Sequence, residues 1–246
     1  MSIDIYSVCE ALAHGFCAVC DGSVRYNSHG SFGWVLCTSD GERVVTCMGP
    51  ARGLRPTSFR AEGYGLLSFL LFLRRMSEFT SMHNPWIGTI AADSESIIKT
   101  LKVPVRPHQS PSLEAPIRIT GDSTTLDPLQ PDRDVLIEIQ HALSHLPEIK
   151  LQVVKSHQDR KTRFERLPLM GQLNVESDDM ASVYQNTFGS DRPFVMLTPG
   201  TRAHLVTAHG TITSRYPAAI CNTYSGPALQ SHIQKRHGWM NATSRV

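Results

Sequence analysis

Four acidic residues have the types and positions needed for a metal site: Asp21, Glu62, Asp93 and Asp178. Carboxylates that are gathered in one place repel each other and are costly to desolvate, so a protein keeps them together mainly where divalent cations neutralise them. Oxygen-only ligands favour Mg²⁺ or Mn²⁺ over zinc. A fold that brings these four side chains together would therefore carry a site of the magnesium type.

The first two acids lie in an apolar strand meander and in the helix that follows it. The segment 16–50 predicts three antiparallel strands that are separated by polar turns. Thr57 or Ser58 can cap a helix that runs to about Glu78, and the wide apolar face of this helix predicts burial against a sheet. The first acid is then on the first strand, and the second is in the first turns of the helix.

Strands and helices alternate after this helix. The apolar segment 86–92 predicts a buried strand, and Asp93 with Ser94 ends the strand and can cap a short helix through Leu101. The elements that follow are a helix at 132–146, a strand at 149–154 and a helix at about 174–188. This order predicts a mixed α/β layer architecture, in which strand ends and helix starts bring the four acids to one edge of a sheet.

Two regions lie outside this pattern. Residues 103–131 are rich in Pro, Ser and Thr and predict an exposed insertion or long loop. Residues 191–246 differ in sequence pattern from the segment before them and predict a hairpin at 204–213 and a terminal helix at 226–239. We expect a domain at 16–188 and a C-terminal appendage that either assists binding or covers an exposed sheet edge.

Taken one at a time, the four acids also have structural explanations. Asp21 precedes a glycine and could belong to a turn, Glu62 could be an exposed helix residue, and Asp93 could be only a helix cap. Asp178 and Asp179 could be a solvated pair. Residue type alone does not decide between these explanations and a metal site.

The residues around the acids resemble the type 1 ribonuclease H family in five short segments. These are 20–23 (Cys-Asp-Gly-Ser), 60–62 (Arg-Ala-Glu), 92–94 (Ala-Asp-Ser), 154–157 (Val-Lys-Ser-His) and 174–181, where an Asn is followed by an Asp four residues later and by an Ala three residues beyond it. Their order, spacing and intervening elements agree with the family over residues 16–188. The Asn-to-Asp spacing favours Asp178 over Asp179.

This resemblance implies a ribonuclease H-like fold, which is a mixed five-stranded sheet (three antiparallel strands, then parallel strands) flanked by helices. It also implies an endonuclease that hydrolyses the RNA strand of RNA/DNA hybrids with two Mg²⁺ ions, or with Mn²⁺. Asp21 would bridge the two ions, and Asp178 would hold the second ion. Glu62 and Asp93 would complete the shell of the first, and Glu62 would also accept a hydrogen bond from the 2′-hydroxyl of RNA. His157 would act as a proton shuttle or in product release.

The resemblance extends to substrate-binding positions. These are Gly22, Ser23, Asn27, Ser58, Ser94 and Asn174. The chain departs from the family at 57–59, where Thr-Ser-Phe replaces paired asparagines, and it shows no basic helical protrusion. The enlarged loop at 158–173 instead supplies cations that could contact phosphates.

A second, weaker resemblance is to ribonuclease H regions within reverse-transcriptase polyproteins of eukaryotic mobile elements. It rests on the long loop, on the Leu-Asn-Val-Glu run at 173–176 and on the tail that ends in Lys-Arg-His-Gly-Trp at 235–239. A reverse-transcriptase polymerase domain is then a candidate partner, beside the RNA/DNA hybrid. Whether the chain is a fragment, a domesticated domain or a stand-alone protein stays open.

Composition and charge indicate an ordinary globular protein. The 246 residues carry a formal net charge of +2, which neither requires nor excludes nucleic acid. The longest apolar run, at 66–73, is too short to span a bilayer, and the acid at Asp4 is atypical of a secretory signal. We therefore expect no membrane partner and an intracellular location, in the cytoplasm or nucleus.

The six cysteines are scattered and predict free thiols. Cys17 and Cys20 have zinc-like spacing, but residues three apart on a strand point to opposite faces, so we do not expect zinc there.

Two other functions are compatible with the same fold. One is a catalytically silent ribonuclease H-like module that binds nucleic acid or a protein partner. The other is DNA strand transfer or exonucleolysis, against which the Lys-Ser-His run at 155–157 and the Asn-to-Asp spacing argue. The fold by itself does not decide among them.

Overall fold

A mixed sheet of five strands forms the centre of the protein in the computed structural model, which describes residues 5–25, 29–53, 56–80, 86–101, 130–146, 148–188, 206–207, 210–211 and 218. The strands are β1 (Phe16–Arg25), β2 (His29–Thr38), β3 (Arg43–Ala51), β4 (Gly88–Ala92) and β5 (Ile149–Val153). Their order in the sheet is β3-β2-β1-β4-β5. The pairs β1–β2 and β2–β3 are antiparallel, and the pairs β1–β4 and β4–β5 are parallel. The predicted ribonuclease H-like fold class is confirmed.

Five helices within the described residues flank this sheet. They are α1 (Ile5–His14), α2 (Ser58–Thr80), α3 (Glu95–Leu101), α4 (Arg133–Ser144) and α5 (Leu169–Phe188). Buried side chains of the first four helices share one apolar core with one face of the sheet. The opposite face packs against α5 through a smaller core that includes Val19, Val35 and Leu173.

The alternation of side chains along β1 separates the two cores. Cys20 is buried in the core on the α2 side, whereas Cys17 packs against the core on the α5 side. Their expected placement on opposite faces of the strand is confirmed. The described cysteines are free thiols, as predicted: Cys9, Cys17, Cys20, Cys37 and Cys47.

The start of α2 is fixed by a cap and by a buried ion network. The hydroxyl of Thr57 accepts a hydrogen bond from the backbone N–H of Arg60 (3.0 Å), so Thr57 is the capping residue of the two that the sequence allowed. Arg60 is fully buried and forms ion pairs with Asp132 (3.1 Å) and Asp134 (2.8 Å). The network joins the start of α2 to the start of α4.

Two helices differ from the sequence expectation. The last helix was expected from about Asn174 but begins at Leu169, five residues earlier. Pro168 precedes its first turn, and the Pro168 carbonyl accepts hydrogen bonds from Gly171 (2.8 Å) and Gln172 (3.0 Å). Helix α1 was not predicted, although Val8, Ala11 and Leu12 give it a short apolar face that is buried.

The two regions outside the pattern are described only in small part. The short strands β6 (Val206–Thr207) and β7 (Gly210–Thr211) pair antiparallel within the predicted hairpin. The predicted helix at 226–239, nearly all of the insertion 103–131 and the rest of 191–246 lie outside the described residues. Among the described helices, none is both long enough and apolar enough to cross a membrane.

Candidate carboxylate site

The four predicted acids come from four different elements around β1. Asp21 is on β1, Glu62 is in the first turns of α2, Asp93 directly follows β4, and Asp178 lies in the middle of α5. Because β1 and β4 are parallel neighbours, residues near their carboxyl ends meet at the same edge of the sheet. The fold therefore gathers the acids from both sides of one strand.

Two glycines let the helices approach Asp21 closely. A Cβ atom added to Gly22 would lie 2.2 Å from the backbone nitrogen of Glu62, so only glycine allows α2 to pack against β1 there. Gly33 is the register partner of Asp21 on β2, and a Cβ atom on it would lie 2.3 Å from the carbonyl oxygen of Ser177 on α5. These contacts fix the backbones that carry Glu62 and Asp178.

Asp21 is the most buried of the four acids. It is 5% exposed, and its Oδ1 accepts a hydrogen bond from the backbone N–H of Gly22 (2.6 Å). The side chain of Asn174, itself buried, lies 3.5 Å from Oδ2 and donates to it. Burial raises the pKa of Asp21 to about 8, and the nearby charges of Asp93 and Asp178 add to the rise.

Glu62 has a similar electrostatic environment. Burial raises its pKa to about 7, and the charge of Asp93 acts in the same direction. The hydroxyl of Ser94 donates a hydrogen bond to the Glu62 carboxylate and partly opposes the rise in pKa. Ser94 is buried (8% exposed) and directly follows Asp93, so it links the second and third acids.

Burial also raises the pKa values of Asp93 and Asp178, and His157 opposes the rise at both. Asp178 is half-buried, whereas its neighbour Asp179 is exposed. His157 is exposed at the start of the β5–α5 connection and adopts a left-handed backbone conformation (φ 48°). The structure thus places Asp178, rather than Asp179, and His157 within electrostatic range of the other acids.

Two oxygen atoms at the site are buried without a hydrogen-bond partner among the described residues: Asp93 Oδ1 and Asn174 Oδ1. An unpaired buried acceptor is costly, and a cation would satisfy it. However, no three His, Cys, Asp or Glu side chains in the described part of the chain are grouped so that they could hold a metal ion. The donor chemistry fits a hard divalent cation, but the side chains do not form a complete coordination shell.

The other predicted substrate-binding residues have varied positions. Ser58 is exposed at the start of α2, Ser23 is half-buried on β1, and Gly22 contacts the backbone of α2. Asn27 lies outside the described residues.

Sequence reasoning missed two features of the site. The first is Gly33, whose only sequence signal is a glycine within a strand, a known mark of close backbone approach. The second is the ion network of Arg60 with Asp132 and Asp134, two residues before Glu62. No local pattern predicts this network, because arginine is seldom fully buried.

Comparison with known proteins gives a likeness of fold. No family model and no curated protein matches the chain. The ribonuclease H1 structure from the halophilic archaeon Halobacterium salinarum is 18% identical, with a TM-score of 0.45, over 70% of this chain and 98% of that chain. A ribonuclease H1 structure in complex with an RNA/DNA hybrid, LC11 from compost, is 14% identical, with a TM-score of 0.45, over 68% and 94% of the two chains.

The solution structure of the ribonuclease H domain of prototype foamy virus is 17% identical, with a TM-score of 0.45, over 69% of this chain and 92% of that domain. At identities of this size the likeness concerns the fold alone. The assignment of a ribonuclease H-like fold rests on the strand order and on the helices that flank both faces of the sheet.

Proposed function

We propose that the protein is a metal-dependent endonuclease that hydrolyses the RNA strand of RNA/DNA hybrids. The observation that carries the proposal is the set of four mutually repelling carboxylates on a ribonuclease H-like sheet. None of the four makes an ion pair with a described arginine or lysine. A protein that holds such charges together at a cost in stability needs an external cation to neutralise them.

Two Mg²⁺ ions, or Mn²⁺, are the cations that this donor set fits, with Asp21, Glu62, Asp93 and Asp178 as the carboxylates that would hold them. When bound, such ions supply an activated water and stabilise the leaving oxygen of a phosphodiester. The described residues contain no set of three acidic, histidine or cysteine side chains grouped closely enough to hold an ion. Binding would therefore require the carboxylate side chains to rotate toward the ions.

The chain's own residues have distinct parts in this proposal. Asp21 would be the central ligand, because it is the most buried acid and Asn174 and Gly22 orient its two oxygens. Glu62 would also accept a hydrogen bond from a 2′-hydroxyl, which only the RNA strand offers. His157 is exposed and close to Asp93 and Asp178, so its imidazole would transfer a proton to the leaving oxygen.

The second candidate is a catalytically silent ribonuclease H-like module that binds nucleic acid. One observation favours it, namely the lack of three grouped metal ligands among the described residues. The raised pKa values of Asp21 and Glu62 favour the nuclease, because a silent module gains nothing from keeping repelling acids buried together.

The test is incubation of the purified protein with an RNA/DNA hybrid labelled on the RNA strand, with Mg²⁺ or with EDTA. Duplex DNA and duplex RNA serve as substrate controls. The nuclease proposal predicts cleavage of the RNA strand in the hybrid alone, and only with Mg²⁺ or Mn²⁺. Binding of the hybrid without cleavage under either ion would instead support the silent module.

A further inference from the structure

The connection between β5 and α5 is densely cationic. Within residues 155–166, here called the cationic loop, two carboxylates accompany five cations: Lys155, Arg160, Lys161, Arg163 and Arg166. All five cations are exposed. In the part of the chain that the structure describes, none of them makes an ion pair.

Several cations on other elements are paired. Arg43 pairs with Glu176, Arg74 and Arg75 both pair with Glu78, and Lys99 pairs with Glu95. The buried Arg60 has two carboxylate partners of its own. Unpaired positive charge is thus concentrated in one described segment, which leaves its side chains available to an external anion.

The cationic loop has a defined backbone shape. It contains two short 3-10 turns, at Gln158–Arg160 and Phe164–Arg166. The side-chain amide of Gln158 donates to the backbone carbonyl of Lys155 (2.8 Å). The backbone carbonyl of Gln158 accepts from the backbone N–H groups of Lys161 and Thr162 (both 3.1 Å). Leu167 is buried and anchors the end of the loop. A loop that is ordered in this way loses less conformational entropy when it binds a ligand.

The cationic loop also adjoins the acids. It directly follows Val154, whose backbone N–H donates to the carbonyl of Ala92 (3.0 Å), the residue before Asp93. The side chain of Gln158 also packs against the start of α5, since a Cβ atom added to Gly171 would lie 3.1 Å from Gln158 Nε2. A phosphodiester that approaches four carboxylates is repelled by them, so cations beside the acids are the groups that can hold a nucleic-acid backbone there.

We infer that the cationic loop binds the phosphate backbone of the nucleic acid on the side of the site between the end of β5 and the start of α5. The inference rests on the proposed function and adds to it the surface that holds the substrate. The loop would contact phosphates and not bases, since its contribution is charge and its cations make no ion pair with a described carboxylate. Its contribution is therefore independent of sequence and sensitive to salt.

The test compares two triple variants that lose the same charge. One is Arg160→Gln, Lys161→Gln and Arg163→Gln within the cationic loop. The matched control is Arg74→Gln, Arg75→Gln and Lys150→Gln, which removes one half-buried and two exposed cations from the later turns of α2 and from the amino end of β5. Both are made in the Asp21→Asn background so that the substrate stays intact. Their affinities for a short RNA/DNA hybrid and for duplex DNA are measured over a range of salt concentrations with Mg²⁺ present, and thermal melting checks folding.

The loop variant should bind both nucleic acids more weakly than its parent. The slope of log K against log salt should fall by about 1 for each cation that contacts a phosphate, while the control keeps the parental slope. Equal affinities and slopes for the loop variant and the control would overturn the inference, whether or not the chain with Asp21 cuts hybrids. If the loop variant binds more weakly but the protein with Asp21 intact cleaves no hybrid, the loop inference stands and the proposed nuclease function is refuted. Absence of measurable binding by the parent would refute the loop inference as well.

Discussion

Two groups of carboxylates meet beside the first turns of α2, and they differ in whether the protein supplies a cation to neutralise them. Asp132 and Asp134 surround the guanidinium of Arg60, which is fully buried and reaches both of them. Two residues further along the same helix, Glu62 belongs to a group whose other members are Asp21, Asp93 and Asp178, and no described arginine or lysine pairs with any of these acids.

The difference shows in the pKa values. Burial raises the pKa of Asp132, and Arg60 is the main group that opposes the rise. Burial likewise raises the pKa of Asp21, but there the neighbouring acids raise it further. The first group, here called the complete group, has its neutralising cation within the protein and stabilises the junction of α2 and α4. The second group, here called the incomplete group, has no such cation among the described residues, which is the property expected of a site that takes its cation from solution.

The largest expected effect comes from the incomplete group. Asp21→Asn should remove nearly all hybrid cleavage, because the central carboxylate loses its charge while Asn keeps its size. The measurement is the initial rate of RNA-strand cleavage in Mg²⁺. A variant that kept more than about a tenth of the wild-type rate, which corresponds to a rise of under about 1.4 kcal/mol in the activation free energy, would remove Asp21 from the site.

The same variant should also change how the free energy of unfolding depends on pH. The pKa of Asp21 in the folded state is about 8, above its ordinary value of 3.8. The contribution of Asp21 to the free energy of unfolding is therefore complete below its unfolded pKa and is lost as the pH rises toward 8. In EDTA, melting temperatures at about pH 5 and about pH 8 should differ more for the wild type than for Asp21→Asn. Added Mg²⁺ should stabilise only the wild type at the higher pH.

A substitution in the complete group should lower the stability of the fold. Arg60→Met leaves Asp132 and Asp134 buried without their cation, so the free energy of unfolding should fall by about 3–5 kcal/mol in denaturant titrations. Arg74→Met is the matched control, since it breaks an exposed ion pair with Glu78 and should cost at most about 1 kcal/mol. If Arg60→Met cost no more than this control, Arg60 would not be what stabilises the two carboxylates.

A smaller effect is expected from His157, which is exposed and interacts electrostatically with Asp93 and Asp178. His157→Ala should lower the rate of hybrid cleavage by about 10- to 100-fold, because a general acid or base contributes roughly this much and water can partly replace it. Stabilisation by Mg²⁺ should persist, since the carboxylates remain. His141→Ala, on the exposed face of α4, is the control and should leave the rate unchanged. A loss as complete as that of Asp21→Asn would make His157 a structural residue or a metal ligand.

The strong local signals predicted most of the fold. Alternating apolar residues and polar turns identified β1 to β3, and the apolar runs with their caps identified α2, β4 and α3. The start of α5 was misplaced because Gly171 and Pro168 are typical of loops, although a proline just before a helix is compatible with its first turn. Helix α1 was missed because only Val8, Ala11 and Leu12 mark its buried face.

The site was predictable only in part, for a physical reason. The types of the four acids and their places on strand ends and helices follow from sequence pattern. The groups that determine their environment are distant in sequence, as when Gly33 admits α5 beside Asp21 or when Asn174 donates to it. Such contacts arise from packing of the helices against the sheet, and no local pattern contains them.

The smallest expected effect concerns Ser94, whose hydroxyl bonds to the Glu62 carboxylate. The sequence predicts a substrate contact for Ser94, and its interaction with Glu62 adds a second candidate role, that of a positioning residue for Glu62. Ser94→Ala removes a hydrogen bond worth about 1 kcal/mol, so cleavage at neutral pH should fall by less than about tenfold. Because this bond lowers the pKa of Glu62, its loss raises that pKa above about 7. Glu62 must be ionised to act, so the rising limb of the pH–rate profile should move to higher pH, and the rate should recover at alkaline pH. Ser94→Thr should restore the profile, and Thr100→Ala, which removes a hydroxyl that bonds to the Ser96 carbonyl within α3, is the matched control. A loss that is equal at every pH would instead support the substrate contact.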